Sequence, residues 1–519
     1  MARRSVFKRD IRRFSLPPVS NNKQLTWGGL NTNDGTTQIG DNQAQDLLNV
    51  KFTQDLEKRG GFTELNSTAI PGSTGIYGLF PYYYNNGASR KLIYASHTVI
   101  GEMNTATGAL TDDSIITSLT SNQRTNAVTF HDLLILVNGT QAPQKIDDDT
   151  GSALGGNPPI IAKYIALHKN YLFLAGNSTY PSRVHYCNLD TPETWGANNF
   201  FDVNPNDGDF ITGLSVTLDT LIIMKEYNMY ILYGDTPTYT EGLTLWRIKK
   251  ASVTTGGVNQ GSLQLYGKNL FYLSRNNGVQ LFGGSISTGE VEVDNLTSAL
   301  ISKDITPTIA GLNETRFSQA ASIVWDYKYI LSVPNSASTT NNLCLVYDFI
   351  ATGWSLWNIP ANCWSIFRSS SVDYLYFGST TIGKIYRYTP TTYSDNGTAI
   401  SAYYKTKDYS ITNPSDSKLF RKFYITVNKS SDFAFTVEPT IDFETSAGDY
   451  TIASQESDSL YGTAIYGTDK YGKATTAPSD KQVMNNRGKF INYKFANSTL
   501  GETMKIRDFT QYFRIEGAK

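Results

Sequence analysis

The apolar positions of the chain fall into short runs separated by turn residues, and residues 207–235 show this pattern in its most regular form. Three runs rich in β-branched and aromatic side chains cover 210–216, 220–225 and 229–233, with Gly, Asp and Asn between them. Such runs favour strands, and such breaks favour turns. None of the runs has ten apolar residues at helical spacing, so both their length and their period exclude a helix. The stretch therefore predicts three consecutive β-strands.

The same motif, a turn residue followed by a short strand of Leu, Ile, Tyr or Phe, occurs seven times. Its central apolar residues are Leu92, Leu133, Leu172, Leu221, Leu270, Tyr329 and Leu375. Successive copies are 39 to 59 residues apart, and a repeat of this length is typical of four-stranded propeller blades. Parallel sheets would need helical crossovers, which the sequence does not predict. We therefore predict an all-β fold with a β-propeller of about seven blades.

Both faces of the strand at 220–225 are apolar. Side chains alternate between the two faces of a strand, so Leu221 and Ile223 are expected on one face and Ile222 and Met224 on the other. This pattern predicts a strand that neighbouring blades cover on each side.

The repeats occupy only part of the chain, which divides into four segments. Residues 1–24 form a basic arm, 25–70 hold early strands that would complete the last blade and close the ring, and 71–396 hold the propeller. From 397 to 519 the repeat is lost, but apolar and polar positions still alternate, for example at 422–427. This alternation predicts an additional C-terminal β-rich, sandwich-like domain.

Composition agrees with an all-β protein and narrows the classes of function. The 519 residues include 33 Tyr, 25 Phe and 42 Gly, and only 18% of them are charged, below the usual ~25%. A formal net charge of -1 argues against a dedicated nucleic-acid binder.

No apolar run approaches the ~18 residues of a membrane helix, and the N-terminus lacks the apolar segment of a secretory signal. Cys187, Cys344 and Cys363 have no metal-ligand spacing and are predicted to be free thiols.

The N-terminal arm concentrates positive charge. Residues 1–23 carry seven Lys or Arg and one acid, a sum of +6, so the other 496 residues sum to -7. One interpretation is a solvated tail. The other is an arm that becomes ordered on an acidic surface of a neighbouring subunit, or on DNA phosphates in a channel. In that case the partner-docking residues are Arg3, Arg4, Phe7, Lys8, Arg9, Arg12, Arg13 and Phe14.

The sequence contains no motif for catalysis or for a cofactor: no phosphate-binding loop, HExxH, GxSxG or zinc-ligand spacing occurs. His131 and His168 fall at turns of successive repeats and are predicted to be structural. The acidic turns at 147–149 and 206–209 lack EF-hand spacing, so we interpret them as turn residues and not as Ca²⁺ ligands. We expect no catalytic residue, no cofactor and no bound metal.

Taken together, the features resemble the β-propeller tail hub or nozzle proteins of short-tailed bacteriophages. The resemblance rests on residues 46–62, which contain DLLNV and KRGGF, and on 183–195, which begin with RVHY and end with ThrTrp. It rests most on 207–214 (DGDFITGL) and 221–234 (LIIMKEYNMYILYG), a turn into a strand followed by a second apolar strand that ends in Gly.

This resemblance implies a structural virion protein that is assembled in the host cytoplasm. Several copies, typically six in this family, would form a ring below the portal and adaptor, around the channel through which DNA is ejected. The implied partners are other tail subunits, adaptor or portal-proximal proteins, tail fibres or spikes, and DNA passing the channel. Two alternatives remain open: a carbohydrate-binding propeller that reads host glycans with aromatic platforms at Trp195 or Trp354, and a propeller glycosidase. Under the structural interpretation, Trp354 and Trp357 are instead expected to pack between blades.

Overall fold

Strands dominate the structure, as the sequence predicts. The computed structural model describes residues 20–24, 27–52, 54–217, 219–251, 255–283, 297–369, 371–411, 413–428, 433–454 and 480–517. Five strands precede the repeats: β1 (Ser20–Gln24), β2 (Ala44–Leu48), β3 (Val50–Phe52), β4 (Leu56–Lys58) and β5 (Gly61–Glu64). Asn49 separates β2 from β3 because it adopts a left-handed conformation with φ of 57°, which Asn tolerates better than most residues.

Six four-stranded antiparallel sheets follow one another along the chain. Blade one comprises β6 (Ile76–Tyr84), β7 (Ser89–Ser96), β8 (Val99–Met103) and β9 (Leu110–Ile116), and blade two comprises β10 (Asn126–Phe130), β11 (Leu133–Val137), β12 (Gln144–Asp147) and β13 (Thr150–Ala153). Blade three comprises β14 (Tyr164–His168), β15 (Tyr171–Ala175), β16 (Arg183–Tyr186) and β17 (Phe200–Asp202), and blade four comprises β18 (Ile211–Thr217), β19 (Thr220–Lys225), β20 (Met229–Tyr233) and β21 (Arg247–Lys250). Blade five comprises β22 (Gln264–Tyr266), β23 (Asn269–Ser274), β24 (Gly278–Gly283) and β25 (Thr297–Leu300), and blade six comprises β26 (Ala321–Trp325), β27 (Lys328–Val333), β28 (Leu343–Asp348) and β29 (Gly353–Trp357). Short helical segments lie between blades four and six: the α-helix α1 (Thr306–Ala310) and 3-10 turns at Gln260–Ser262, Lys303–Ile305 and Glu314–Gln319.

Blade seven closes the ring with a strand from the start of the chain. It comprises β30 (Ala361–Ser369), β31 (Val372–Ser379) and β32 (Ile385–Thr389), and its fourth strand is β5, which pairs antiparallel with β32 so that Phe62 lies opposite Tyr388. The innermost strand β30 lies against β6 of blade one. The prediction of a propeller of about seven blades is confirmed, and the seven recurrent motifs are the second strands of the seven blades. Closure removes most of the free strand edges that a sheet would otherwise expose.

A β-sandwich completes the described part of the chain. The strands after blade seven are β33 (Ser394–Asp395), β34 (Thr398–Ala399), β35 (Ala402–Thr406), β36 (Ser417–Val427), β37 (Phe433–Ile441), β38 (Thr445–Ser446), β39 (Tyr450–Ser454), β40 (Asp480–Gly488), β41 (Ile491–Asn497) and β42 (Lys505–Gly517), and those from β35 onwards belong to the sandwich. One sheet has the order β3-β4-β42-β36-β40 with β1 also paired to β42, and the other has the order β2-β35-β41-β37-β38 with β39 on β37. The short strands β33 and β34 extend blade seven.

The division of the chain into segments differs from the expected one at the N-terminal side. Of the early strands in 25–70, β5 lies in blade seven, whereas β2, β3 and β4 lie in the sandwich together with strands from 402–517. Part of the arm segment joins it too, because β1 pairs with β42. The sandwich is therefore not a purely C-terminal unit. Its two sheets are built from both ends of the chain.

The core consists of layers between neighbouring blades. Leu221 and Ile223 belong to the cluster between blades three and four, and Ile222 and Met224 belong to the cluster between blades four and five. The predicted two-sided burial of this strand is confirmed. All four side chains are buried, so apolar contacts on both faces of this strand hold blade four to blades three and five.

The sandwich and the propeller share one continuous apolar cluster. Phe271 of blade five and Tyr329 of blade six belong to the same cluster as Phe423 and Phe495 of the two sandwich sheets. The segment before β2 also lies very close to blade six: a Cβ on Gly29 would come within 2.4 Å of the backbone nitrogen of Trp354. A side chain at this glycine would therefore force the two segments apart.

Ion pairs join the blades at the rim of the ring. The Lys91 ammonium of blade one lies 3.1 Å from an oxygen of Asp148 after β12 of blade two, and Lys169 of blade three lies 2.8 Å from an oxygen of Asp235 in blade four. Lys169 holds the pKa of Asp235 below its usual range, chiefly by hydrogen bonding. These ion pairs add electrostatic contacts between blades that already share apolar interfaces.

Candidate functional site

The residues predicted for partner docking, Arg3, Arg4, Phe7, Lys8, Arg9, Arg12, Arg13 and Phe14, lie outside the described residues. The other candidates lie on the described surface and among the polar groups that the sequence singled out.

The two turn histidines have different environments. His131 lies in the turn between β10 and β11 with φ of 48°, and its Nε2 is 2.7 Å from Oδ1 of Asp190 in blade three. His168 ends β14 and is buried, and burial lowers its pKa to about 4. Its Nε2 has no hydrogen-bond partner among the described residues. A buried, neutral ring with one unpaired nitrogen is a structural group that resists protonation.

Acid is expected to destabilise the protein through His168. In the unfolded chain its pKa is about 6.5, above the folded value of about 4. As the pH falls from 6.5 towards 4, the unfolded state therefore binds a proton at His168 that the folded state does not bind. Between pH 7 and pH 4.5 this difference removes about 2–3 kcal/mol of stability. We expect the His168→Phe variant to lose about 2–3 kcal/mol less unfolding free energy than the wild type over this pH range, as measured by guanidinium unfolding at both pH values. Equal losses in the two proteins would show that His168 is not the group that makes the fold sensitive to acid.

The acidic turns hold lysine side chains in place. Lys225 of β19 is fully buried, and its ammonium lies 2.8 Å from Oδ2 and 2.9 Å from Oδ1 of Asp207. Asp209 accepts hydrogen bonds from the backbone nitrogens of Glu226 and Tyr227. Among the described residues, no group of three or more His, Cys, Asp or Glu side chains is placed to hold a metal ion.

The tryptophans proposed as glycan platforms lie in packed positions. Trp354 is 2% exposed and donates its Nε1 hydrogen to the carbonyl of Ile301, so it cannot offer a ring face to a sugar. It packs where blade six meets the sandwich. Trp357 packs between blades six and seven, as expected, and Trp195 lies partly buried against the core between blades two and three. The three cysteines are free and buried.

One surface stands out on blade four. Residues 238–250, here called the blade-four edge, are all exposed except for Trp246. They form the loop before β21 and β21 itself, which pairs with β20 and has no second partner strand among the described residues. Tyr239 is 81% exposed, and Leu243, Leu245 and Ile248 are also exposed. Exposed apolar side chains in this number mark an interaction site.

The blade-four edge is ordered and basic. Asp235 accepts hydrogen bonds from the backbone nitrogen and the hydroxyl of Thr244, at 3.0 and 2.6 Å, and so braces the loop. The edge carries Arg247, Lys249 and Lys250 against the single acid Glu241, a sum of +2. It therefore combines apolar contact area with positive charge.

A second surface lies at one end of the sandwich. Residues 442–449, here called the sandwich tip, join β37 to β39 through the short strand β38 and are exposed except for Ala447. Asp442 and Phe443 both have left-handed backbones, with φ of 48° and 74°. Such a conformation is strained for a bulky residue such as Phe. Asp442 stabilises the turn by accepting hydrogen bonds from the backbone nitrogens of Lys489 and Phe490.

The strained turn presents an aromatic side chain beside negative charge. Phe443 is 51% exposed and packs at a tilt against the Phe490 ring, with centroids 5.1 Å apart. Glu444 and Asp449 of the same tip are exposed. Observed backbone strain at an exposed residue is a reason to seek a binding role there. The tip is thus an acidic and aromatic counterpart of the basic and apolar blade-four edge.

The comparisons with known proteins concern the fold. No protein-family model and no curated protein matches the sequence. Among solved structures, the chain is similar to the computationally designed Ika8 protein, with 9% identity and a TM-score of 0.36 over 63% of this chain and 100% of that chain. It is similar to YCF48 from Cyanidioschyzon merolae, with 8% identity and a TM-score of 0.38 over 64% and 99%. It is also similar to BamB from Moraxella catarrhalis, with 12% identity and a TM-score of 0.37 over 66% and 96%. Likenesses this distant carry no argument about function. Within the described ranges, no helix has the length and apolar character to cross a membrane.

Proposed function

We propose that the protein is a structural subunit of a bacteriophage tail, in which several copies, six in the family it resembles, form the hub or nozzle ring around the DNA exit channel. The observation that carries this proposal is the pairing of two complementary surfaces on one chain. The blade-four edge is apolar and basic, and the sandwich tip is aromatic and acidic.

The two surfaces favour a contact between copies of the chain. They are different patches, so a contact between the edge of one copy and the tip of the next is heterologous. It leaves the tip of the first copy and the edge of the second copy free for further contacts. Repetition of such a contact closes into a ring when the rotation between copies allows it. Opposite charges steer the approach of the copies and fix the register of the contact, while Phe443, Tyr239 and Ile248 supply the apolar area.

The rest of the fold supports a mechanical role. The ring of blades is closed, the sandwich shares a core with blades five and six, and both ends of the described chain are built into sheets. A body joined in this way keeps its shape under load, as a channel-forming part of a particle must.

The proposal includes the location and the remaining partners. The particle would be assembled in the host cytoplasm, with adaptor or portal-proximal proteins on one side of the ring and tail fibres or spikes around it. The basic arm would order on an acidic surface of a neighbouring subunit. If a chain lacking residues 2–16 joins tails at normal occupancy and the particles eject DNA normally, this role of the arm is excluded.

No catalytic activity is proposed, and reproducible hydrolysis of a host polysaccharide by the purified protein would argue against a purely structural subunit.

Reversing charge on the blade-four edge is expected to prevent ring formation. The double variant Arg247→Glu and Lys250→Glu places acids opposite the acidic tip, because the wild-type contact pairs opposite charges. Like charges facing each other in an interface cost several kcal/mol, so association should weaken by more than about 100-fold. Sedimentation velocity and electron-microscopy class averages of the full-length chain would measure this loss.

Two further variants make this test specific. Glu444→Lys with Asp449→Lys should also disrupt the ring, and combining all four substitutions should restore it, because the charges are then exchanged between the surfaces. Lys268→Glu with Lys303→Glu, at exposed positions outside both surfaces, should leave the ring intact. A wild-type protein that stays monomeric at high concentration contradicts the ring. A ring that survives the edge variant shows that other surfaces form it.

A further inference from the structure

The innermost strands of the propeller surround an axial cavity of about 320 Å³. Its lining comes from blades one, two, four, five, six and seven and includes the polar side chains of Ser215, Gln260, Gln264 and Ser322. A volume of this size lies at the lower end of the range of small-molecule pockets, about 300–1,000 Å³. The cavity can therefore hold a small polar ligand.

Arg124 is the only charged residue among those that line this cavity. It lies just before β10 and reaches towards the blades opposite: its Nη2 donates to the carbonyl of Gln319 at 2.5 Å and to Oδ1 of Asn362 at 3.1 Å. Within the described ranges, its Nε and Nη1 hydrogens have no hydrogen-bond partner and no carboxylate lies within ion-pair distance. Arg124 is half-buried in the cavity wall, and burial lowers its pKa, yet an arginine does not lose its charge in a protein.

A second cation, Lys163, is near enough to Arg124 for their charges to interact, although it lines a neighbouring pocket and not the axial cavity itself. Lys163, in the loop before β14, is linked to the cavity wall because its carbonyl accepts a hydrogen bond from Asn126 Nδ2 at 2.9 Å. Its ammonium lies 5.6 Å from the centre of the Tyr164 ring, and no carboxylate of the described chain pairs with it. Burial, and then the charge of Arg124, lowers the pKa of Lys163. Both side chains are half-buried, and two like charges with no acid paired to them repel each other, so a bound anion would stabilise both.

We infer that the axial cavity binds a phosphate group, either as inorganic phosphate or as the terminal phosphate of a small molecule such as a mononucleotide. Arg124 would donate Nε and Nη1 hydrogens to the anion, and Lys163 would add a second positive charge from the neighbouring pocket. The Ser215 hydroxyl, which has no hydrogen-bond partner within the described ranges, lines the same cavity and can donate to a further oxygen.

The shape of the cavity favours a tetrahedral oxyanion over a carboxylate. The candidate donors come from different blades around the axis, so they approach the centre from several directions. A planar carboxylate would satisfy the fork of Arg124 from one side only, whereas phosphate has oxygens directed to several sides. This inference is independent of ring formation, because both cations and the cavity belong to a single chain.

Calorimetric titration of the full-length chain tests the inference. Sodium phosphate, adenosine monophosphate and sodium chloride would be titrated at matched ionic strength. We expect one phosphate per chain, and we expect Arg124→Gln to weaken its affinity about 10- to 100-fold, the range for loss of a hydrogen bond to a charged group. Arg368→Gln removes an exposed arginine of blade seven and should retain wild-type affinity.

Each outcome of the titration supports or overturns the phosphate site. Equal affinity for phosphate and monophosphate assigns the site to the phosphate group alone, and tighter binding of the nucleotide shows that the rest of the cavity takes part. Absence of phosphate binding, an equal response to chloride, or unchanged affinity in Arg124→Gln overturns the inference. If Arg124→Gln fails to fold, Lys163→Met takes its place. A weaker phosphate affinity in that variant supports the two-cation site, and an unchanged affinity overturns it.

Discussion

Replacing Arg59 with methionine is expected to lower the free energy of unfolding by about 3–5 kcal/mol, the usual cost of removing one partner of a buried ion pair. The Arg59 side chain is completely buried at the junction between β4 of the sandwich and β5 of blade seven. Its two terminal nitrogens bind both carboxylate oxygens of Asp395, at 2.8 and 2.6 Å. The guanidinium also donates to Asn49 at 2.8 Å, to the carbonyl of Gly60 at 2.8 Å and to Asn358 at 3.0 Å.

These five hydrogen bonds use all five donors of the side chain, so no single replacement serves all the acceptors. Methionine would leave Asp395 without its partner and would remove the hydrogen bond that the buried Asn49 side chain accepts from Arg59. Guanidinium unfolding curves would give the loss in stability. Arg183→Met is the matched control, because Arg183 forms a bidentate pair with Asp202 at a partly exposed site. We expect that control to cost about 1 kcal/mol or less. Equal losses in the two variants would show that Arg59 does not fasten the junction.

Shortening Leu221 to alanine is expected to cost about 2–5 kcal/mol, through lost apolar contact and the cavity left behind. Leu221 is 0% exposed and lies in β19, opposite Leu232 of β20, with the core of blade three on its outer side. The neighbouring blades cannot close around the missing atoms without moving whole sheets. The midpoint of guanidinium unfolding should therefore fall clearly below that of the wild type.

Leu189→Ala removes the same atoms at a position that is 56% exposed. Its stability should stay within about 0.5 kcal/mol of the wild type, as for most surface substitutions. A loss at Leu221 no larger than the loss at Leu189 would contradict the layered core.

The seven second strands were predictable because their signal is local. Leu221 and its six counterparts each follow a turn residue and stand in a short apolar run, so neighbouring residues alone reveal the strand. The period then reveals the propeller. The alternation at 422–427 likewise predicted a strand that is part of β36.

The partners of the early strands were not predictable, because they depend on contacts across the whole chain. Nothing near Leu56 indicates that it pairs with Ile506, 450 residues later, while Phe62 pairs with Tyr388 in a different sheet. The same holds for Arg59, which in the sequence is one more charged residue beside two glycines, and for Arg124, whose place in the cavity wall depends on six blades.

The blade-four edge and the sandwich tip have weaker sequence signals than the strands. Phe443 follows Asp442 at a position where a tight hairpin turn usually has glycine or asparagine, so an aromatic residue there is a signal that could have been noticed. At the blade-four edge, Leu245, Trp246 and Ile248 stand next to basic residues, as apolar residues do in many half-buried strands. Only the structure shows that no further strand of the described chain pairs with β21.

The pairing of β4 with β42 also bears on how the protein is made. A ribosome delivers β4 and β5 before the blades, yet the residue paired with Phe62 of β5 is Tyr388 and the residue paired with Leu56 of β4 is Ile506. Blades one to six can form in order as they emerge, whereas ring closure waits for β32 and the first sandwich sheet waits for β42. Such distant pairings make folding slow and leave strand edges open to wrong partners in the meantime. Ribosomes that stop short of β42 would therefore release chains with a nearly complete propeller and an unfinished sandwich, and these chains should be the principal source of aggregation during synthesis.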